Sequence, residues 1–138
     1  KVFDELRPKL RVFQNEAGRE LLDLPRAPRP SESTEAPVRF LPDYDNAILG
    51  HADRTRIVAD EDRKGLVTKN LRVLPTFLVD GFVAGTWEAK RVRKKATLSI
   101  RPFRALTRPH RDALAEEGEA LLRFVEPDAD AYEISFEI

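Results

Sequence analysis

Residues 73–87 carry the pattern that most constrains how this chain can fold. Residues 73–79 form an almost unbroken apolar run, which predicts a β-strand buried on both faces. Asp80 and Gly81 follow as a two-residue turn of the type that needs positive φ, and the strand pattern resumes over residues 82–87. The segment therefore predicts a β-hairpin whose strands are buried in a sheet.

Residues 95–101 alternate strictly between apolar and polar side chains. Ala96, Leu98 and Ile100 would share one face of a strand, with polar and basic side chains on the opposite face. We therefore predict a sheet with one core face and one basic face. Residues 91–94 would form the turn from the preceding strand, which gives the hairpin a basic tip.

The remaining pattern sets the fold class. Further strands are predicted at residues 10–14, 19–24, 38–41 and 132–138, and a helical turn at 43–49 that Asp43 is suited to begin. Thr107 can cap a helix to about residue 124, whose apolar stripe holds Leu114, Gly118, Leu121, Leu122 and Val125. The predicted fold is α+β: a wing-like hairpin, then a small, mainly antiparallel curled sheet or partial barrel with a late amphipathic helix.

A proline-rich stretch separates two parts of the chain. Residues 25–37 contain four prolines and no hydrophobic periodicity, which predicts an extended linker. Residues 1–24 read as a helix end followed by a hairpin, typical of the end of a winged-helix unit, and residues 38–138 as a C-terminal α+β domain. The helical spacing at the start and the lack of methionine lead us to expect a C-terminal fragment.

The zero net charge conceals a strong asymmetry. Residues 90–111 hold nine basic residues and no acidic one, whereas residues 112–138 hold nine acidic residues and one basic one. A basic stripe favours nucleic-acid phosphates, because binding releases counterions. The alternative is that the two segments pair with each other in the fold.

Residues 43–56 form the densest polar cluster. Asp45, His51 and Asp53 could hold a metal, or His51 and Asp53 could act as a general acid–base pair. His51, Arg54 and Arg56 could instead contact nucleic acid, or the cluster could serve only loop structure. Trp87 presents a similar choice between stacking on a base and packing in the core.

Other chemistry is sparse. Cysteine is absent, and the two histidines, His51 and His110, are too far apart in sequence for a paired-histidine metal motif. The sequence has no glycine-rich phosphate loop, nucleophile elbow, signal peptide or apolar run of membrane-spanning length. We therefore expect no cofactor or metal, no membrane partner and a cytoplasmic, nucleoid-associated location.

Three stretches carry a family resemblance. They are residues 39–46 (RFLPDYDN), 51–54 (HADR) and 74–87 (LPTFLVDGFVAGTW), supported by 11–13 (RVF), 22–25 (LDLP) and 121–124 (LLRF). They resemble the C-terminal half of the bacterial winged-helix DNA-binding domain-containing proteins, which include the crosslink-repair and azinomycin-resistance DNA glycosylases. The resemblance extends over nearly the whole chain.

This resemblance implies tandem winged-helix units around a positively charged concave surface. In some members it also implies hydrolysis of the glycosidic bond of alkylated or crosslinked bases, by a glutamine paired with a second glutamine or an aspartate one residue away. That pair belongs to the N-terminal region of the family, and Gln14 is the only glutamine here. No catalytic residue can be carried over.

The sequence thus predicts a DNA-binding module that would contact the backbone of double-stranded DNA and adjoin upstream winged-helix units of the same protein. The predicted DNA-binding residues are His51, Arg54, Arg56, Lys90, Arg91, Arg93, Lys94 and Lys95. One alternative is the non-catalytic half of a DNA glycosylase, in which the full-length protein is the enzyme. The other is a structural or interaction domain without DNA contact.

Overall fold

The computed structural model describes residues 2–137, and the chain divides after Thr34 into two compact units. The division falls within the linker predicted at residues 25–37. No helix in the described residues is long and apolar enough to cross a membrane.

The first unit consists of short elements, none of which has a buried residue among residues 2–34. They are helix α1 (Val2–Leu6), a 3₁₀ turn (Arg7–Lys9) and the strands β1 (Arg11–Gln14) and β2 (Glu20–Asp23). The two strands pair antiparallel, as predicted. Asn15 shapes their turn, because its Oδ1 accepts hydrogen bonds from the backbone N–H groups of Ala17 and Arg19. That this hairpin is a wing remains a prediction.

The beginning of the predicted linker folds back on this hairpin. The Arg29 guanidinium lies 4.8 Å from the centre of the Phe13 ring, and its Nε lies 3.5 Å from Oδ2 of Asp23. A cation over an aromatic face and an ion pair both favour this position. Arg29 is therefore held to the hairpin, and the linker over residues 25–37 stays a prediction.

The second unit is a five-stranded sheet with one long helix. Its elements are β3 (Arg39–Leu41), α2 (Asn46–Leu49), a 3₁₀ turn (Arg63–Gly65), β4 (Thr76–Val79), β5 (Phe82–Val92), β6 (Lys95–Pro102), α3 (Arg108–Val125) and β7 (Ala131–Phe136). The strand order is β3-β4-β5-β6-β7, antiparallel except for the parallel pair β6–β7, which α3 connects. The predicted mixed α+β class is confirmed, and the sheet forms no closed barrel within the described residues.

Local signals account for several boundaries. The turn between β4 and β5 has φ of 51° at Asp80 and 80° at Gly81, as predicted. Strand β4 begins at Thr76 and not at residue 73, because Pro75 has no N–H to donate to a ladder. Helix α2 is capped by Asp45, whose Oδ1 accepts from Ala47 N at 2.7 Å, and not by Asp43.

Helix α3 covers one face of the sheet. Leu114 and Leu122 of the helix are fully buried with Leu98 of β6. Gly118 allows this close approach, because a Cβ at that position would lie 2.6 Å from Leu98 Cδ2. The predicted stripe is therefore confirmed at its centre, whereas Val125 at its end is exposed.

A second core lies on the opposite face, where strand alternation places Leu78 and Val83. The segment between β3 and β4 supplies its other members, which are Ile48, Val58, Leu66 and Val73. Beyond this second core, the same face of the sheet continues over β5, β6 and β7 and carries polar and charged side chains. We call this region the outer face of the sheet.

Candidate nucleic-acid interface

The long hairpin of β5 and β6 brings the five predicted basic residues together. They are Lys90, Arg91, Arg93, Lys94 and Lys95. Val92 pairs with Lys95, so the connecting turn consists only of Arg93 and Lys94 and is shorter than the predicted 91–94. Arg93 has φ of 56°, and its carbonyl accepts a hydrogen bond from Arg91 Nε at 3.0 Å.

Four of these five cations have carboxylate partners. The nitrogen–oxygen distances are 2.9 Å for Lys90–Glu88, 3.2 Å for Arg91–Glu126, 3.1 Å for Lys94–Asp130 and 2.9 Å for Lys95–Glu133. The parallel return of β7 explains three of them, because it places the acidic end of α3 and the start of β7 along the hairpin. Arg93 has no ion pair with any residue that the structure describes.

The outer face of the sheet is charge-balanced and not basic, which corrects the prediction from alternation. It carries Lys90, Lys95 and Arg101 against Glu88, Glu133 and Glu137. A hydrogen bond from Lys95 lowers the pKa of Glu133, one from Arg101 lowers the pKa of Glu137, and one from Lys90 lowers the pKa of Glu88. The pairs with Glu133 and Glu137 follow from the position of β7 beside β6, whereas Glu88 and Lys90 both lie on β5.

These ion pairs are open to solvent. The side chains of Lys94 and Asp130 are 72% and 67% exposed, and those of Lys95 and Glu133 are 55% and 50% exposed. Exposed pairs are weak and are screened by salt, so a competing anion can displace the carboxylate. The Arg91–Glu126 pair is more sheltered, at 36% and 29%.

The second predicted contact region is also assembled. His51, Arg54 and Arg56 line a cavity of about 250 Å³. Arg54 Nε donates to the carbonyl of His51 at 3.1 Å, which leaves the terminal guanidinium nitrogens for other contacts. Asp53 lines the same cavity, so one carboxylate lies among these basic side chains.

The metal alternative for this cluster is not formed. Asp45 caps α2, and Asp53 Oδ1 accepts from Thr55 N and Oγ1 at 3.0 and 2.7 Å. No group of three or more metal-ligating side chains occurs within residues 2–137. Asp45 and Asp53 thus accept hydrogen bonds that order local turns.

Trp87 is part of the core and not a base-stacking platform. Its Nε1 donates to the carbonyl of Leu41 at 2.9 Å, and its ring meets Phe40 edge-on with centroids 5.7 Å apart. Both contacts fit the core alternative for a tryptophan in a strand.

The sequence patterns did not indicate a second, smaller hairpin tip. Residues 68–72 form a tight loop in which Leu71 has φ of 60° and is 79% exposed. Leucine is not a turn-forming residue, so neither periodicity nor turn composition marks this position.

Comparisons with known proteins identify a family and a solved structure of similar fold. Residues 1–124 match the protein family described as "DNA glycosylase AlkZ-like". Among solved structures, the Streptomyces sahachiroi DNA glycosylase AlkZ superposes with a TM-score of 0.72 at 22% sequence identity, covering 98% of this chain. The chain spans 35% of that protein, and no curated protein sequence matches it significantly. The extent of the family match shows that the chain belongs to the AlkZ-like DNA glycosylase family.

Proposed function

We propose that this chain is the C-terminal, DNA-contacting module of a winged-helix glycosylase. It holds the backbone of duplex DNA through the β5–β6 hairpin and the His51 cavity. The hairpin of β1 and β2 is the wing of the winged-helix unit that adjoins it. Glycosidic chemistry belongs to residues outside the chain, which spans about a third of the solved relative.

Arg93 is the observation that carries the proposal. Its guanidinium lies at the tip of the hairpin, and no carboxylate of the described residues competes for it. A guanidinium can bind phosphate through two parallel hydrogen bonds. The bond from Arg91 Nε to the Arg93 carbonyl orders the turn, so less conformational entropy is lost on binding.

Lys94 and Lys95 supply further contacts when DNA phosphates replace their carboxylate partners. Their carboxylate partners are exposed, and a DNA phosphate can replace them at little cost. Three such contacts at one tip suit non-specific backbone binding, which positions the duplex without reading its sequence.

The His51 cavity provides a second region. Arg54 and Arg56 can share an anion there, with His51 as an additional donor. Two regions of backbone contact would bind a duplex more tightly than one, because the first contact raises the local concentration of DNA at the second.

The experiment is fluorescence anisotropy of a labelled duplex at several salt concentrations. Each phosphate contact contributes about 0.9 to the slope of log affinity against log salt. Arg93→Ala should weaken binding and reduce that slope by about 0.9. Arg108→Ala is the matched control, because Arg108 is 93% exposed and begins α3, about 27 Å along the helix from the end near the hairpin.

A domain without DNA contact is the second candidate, and one observation favours it. Charges of residues 90–111 do pair with those of 112–137, at Arg91–Glu126, Lys94–Asp130 and Lys95–Glu133. Absence of duplex binding at low salt would favour this candidate over the DNA-binding module, whereas tight binding that ignores salt would contradict backbone contact as the mode of binding.

A further inference from the structure

The loop at residues 68–72 extends from the second core and is closed by hydrogen bonds. Leu66 and Val73 at its base are buried, and Val67 bridges to Val73. Thr68 closes the loop: its N–H donates to the Arg72 carbonyl at 2.9 Å, and its Oγ1 accepts from Arg72 N at 3.1 Å. The tip is therefore held by its own hydrogen bonds.

Leu71 occupies this tip in an unfavourable conformation. Its φ of 60° lies in the left-handed region, where an L side chain with a Cβ is strained and glycine or asparagine is preferred. Its side chain is 79% exposed, so burial does not offset the strain. Burial of leucine at this position therefore contributes little to stability, and strained backbone of this kind clusters at functional sites.

The neighbours of Leu71 indicate what it meets. Lys69 is exposed and has no ion pair within residues 2–137, and Arg72 forms only an exposed pair with Asp43 at 3.7 Å. An apolar tip flanked by cations matches a ligand with anions outside and apolar faces inside. The base stack of duplex DNA, bordered by phosphates, has both.

We propose that Leu71 is a wedge that inserts between base pairs while Lys69 contacts the adjoining phosphate. This inference rests on the proposed DNA-binding function and adds a deformation of the duplex to it. Leucine is among the side chains that proteins insert into base steps, where they partly unstack and kink the helix. A tip already ordered by hydrogen bonds can transmit that force without collapsing.

The test uses the 138-residue chain with a duplex that contains 2-aminopurine, whose fluorescence rises when the base is unstacked. The wild-type chain should raise the fluorescence on binding. Leu71→Asn should abolish the rise and weaken anisotropy-detected binding by a few-fold at most. Its melting temperature should equal or exceed that of the wild type, because asparagine tolerates positive φ.

Phe124→Ala is the control for loss of an exposed apolar side chain, since Phe124 is 83% exposed on α3. It should leave the fluorescence rise unchanged. Binding without a fluorescence rise, or an undiminished rise with Leu71→Asn, would overturn the wedge and leave the DNA-binding function standing. Failure of the wild-type chain to bind the duplex at low salt would overturn both.

Discussion

Removing the carboxylates that hold the basic hairpin should strengthen DNA binding. Glu126, Asp130 and Glu133 pair with Arg91, Lys94 and Lys95. If DNA phosphates use the same cations, these carboxylates compete with the duplex. The triple variant Glu126→Gln, Asp130→Asn, Glu133→Gln keeps the side-chain shapes and removes the three competing charges.

The size of the effect follows from the exposure of the pairs. Double-mutant cycles on exposed ion pairs correspond to at most about a fivefold change in an equilibrium constant per pair. Two of the pairs are well exposed and one is partly sheltered, so we expect a total gain in affinity of roughly tenfold at low salt. The gain should shrink as salt screens the competition.

The assay must separate local competition from a general change of charge. The matched control is Glu16→Gln, Glu32→Gln, Glu35→Gln, which changes the net charge by the same amount at exposed positions distant in sequence from the hairpin. Anisotropy titrations of one duplex with both triple variants, at two salt concentrations, give the comparison. Equal affinities for the two variants, or weaker binding by the hairpin variant than by the wild type, would refute the reasoning.

Three further predictions concern the fold. Gly85→Ala should destabilise the chain by about 3 kcal/mol in urea denaturation, because a Cβ would lie 2.3 Å from the Arg101 carbonyl oxygen. Gly65→Ala should cost much less, because its Cβ would lie 3.2 Å from the nearest atom, in the Phe103 ring, and would meet no backbone atom. Thr107→Ala should cost about 1 kcal/mol, measured in the same way, because the Thr107 hydroxyl accepts from His110 N at the start of α3; Thr107→Ser should restore it. Glu88, Glu133 and Glu137 have folded-state pKa values below the ordinary glutamate value, so their stabilisation is present above that value and is lost as pH falls through the lowered pKa. Urea midpoints should therefore fall below about pH 4.3, and less steeply in Glu133→Gln, Glu137→Gln; an unchanged pH profile in that variant would contradict the assignment.

The sequence alone determined those features that depend on neighbouring residues. Asp80-Gly81 specifies a two-residue turn because its backbone must adopt positive φ at both positions. Thr107 specifies the start of α3, and the alternation over residues 95–101 specifies which side chains enter the core. The family motifs over residues 39–87 identified the DNA glycosylase relationship that the family match then supported.

Only the tertiary structure decided how the charges are used. A strand pattern does not state its direction, and the parallel return of β7 placed Glu133 beside Lys95 and Asp130 beside Lys94. The face that alternation predicted to be basic is therefore balanced. Of the two residues in the hairpin turn, Lys94 pairs with Asp130, and Arg93 has no carboxylate partner in the described chain. Leu71 likewise became visible only through its backbone conformation and exposure, which depend on a loop closed by contacts that composition does not reveal.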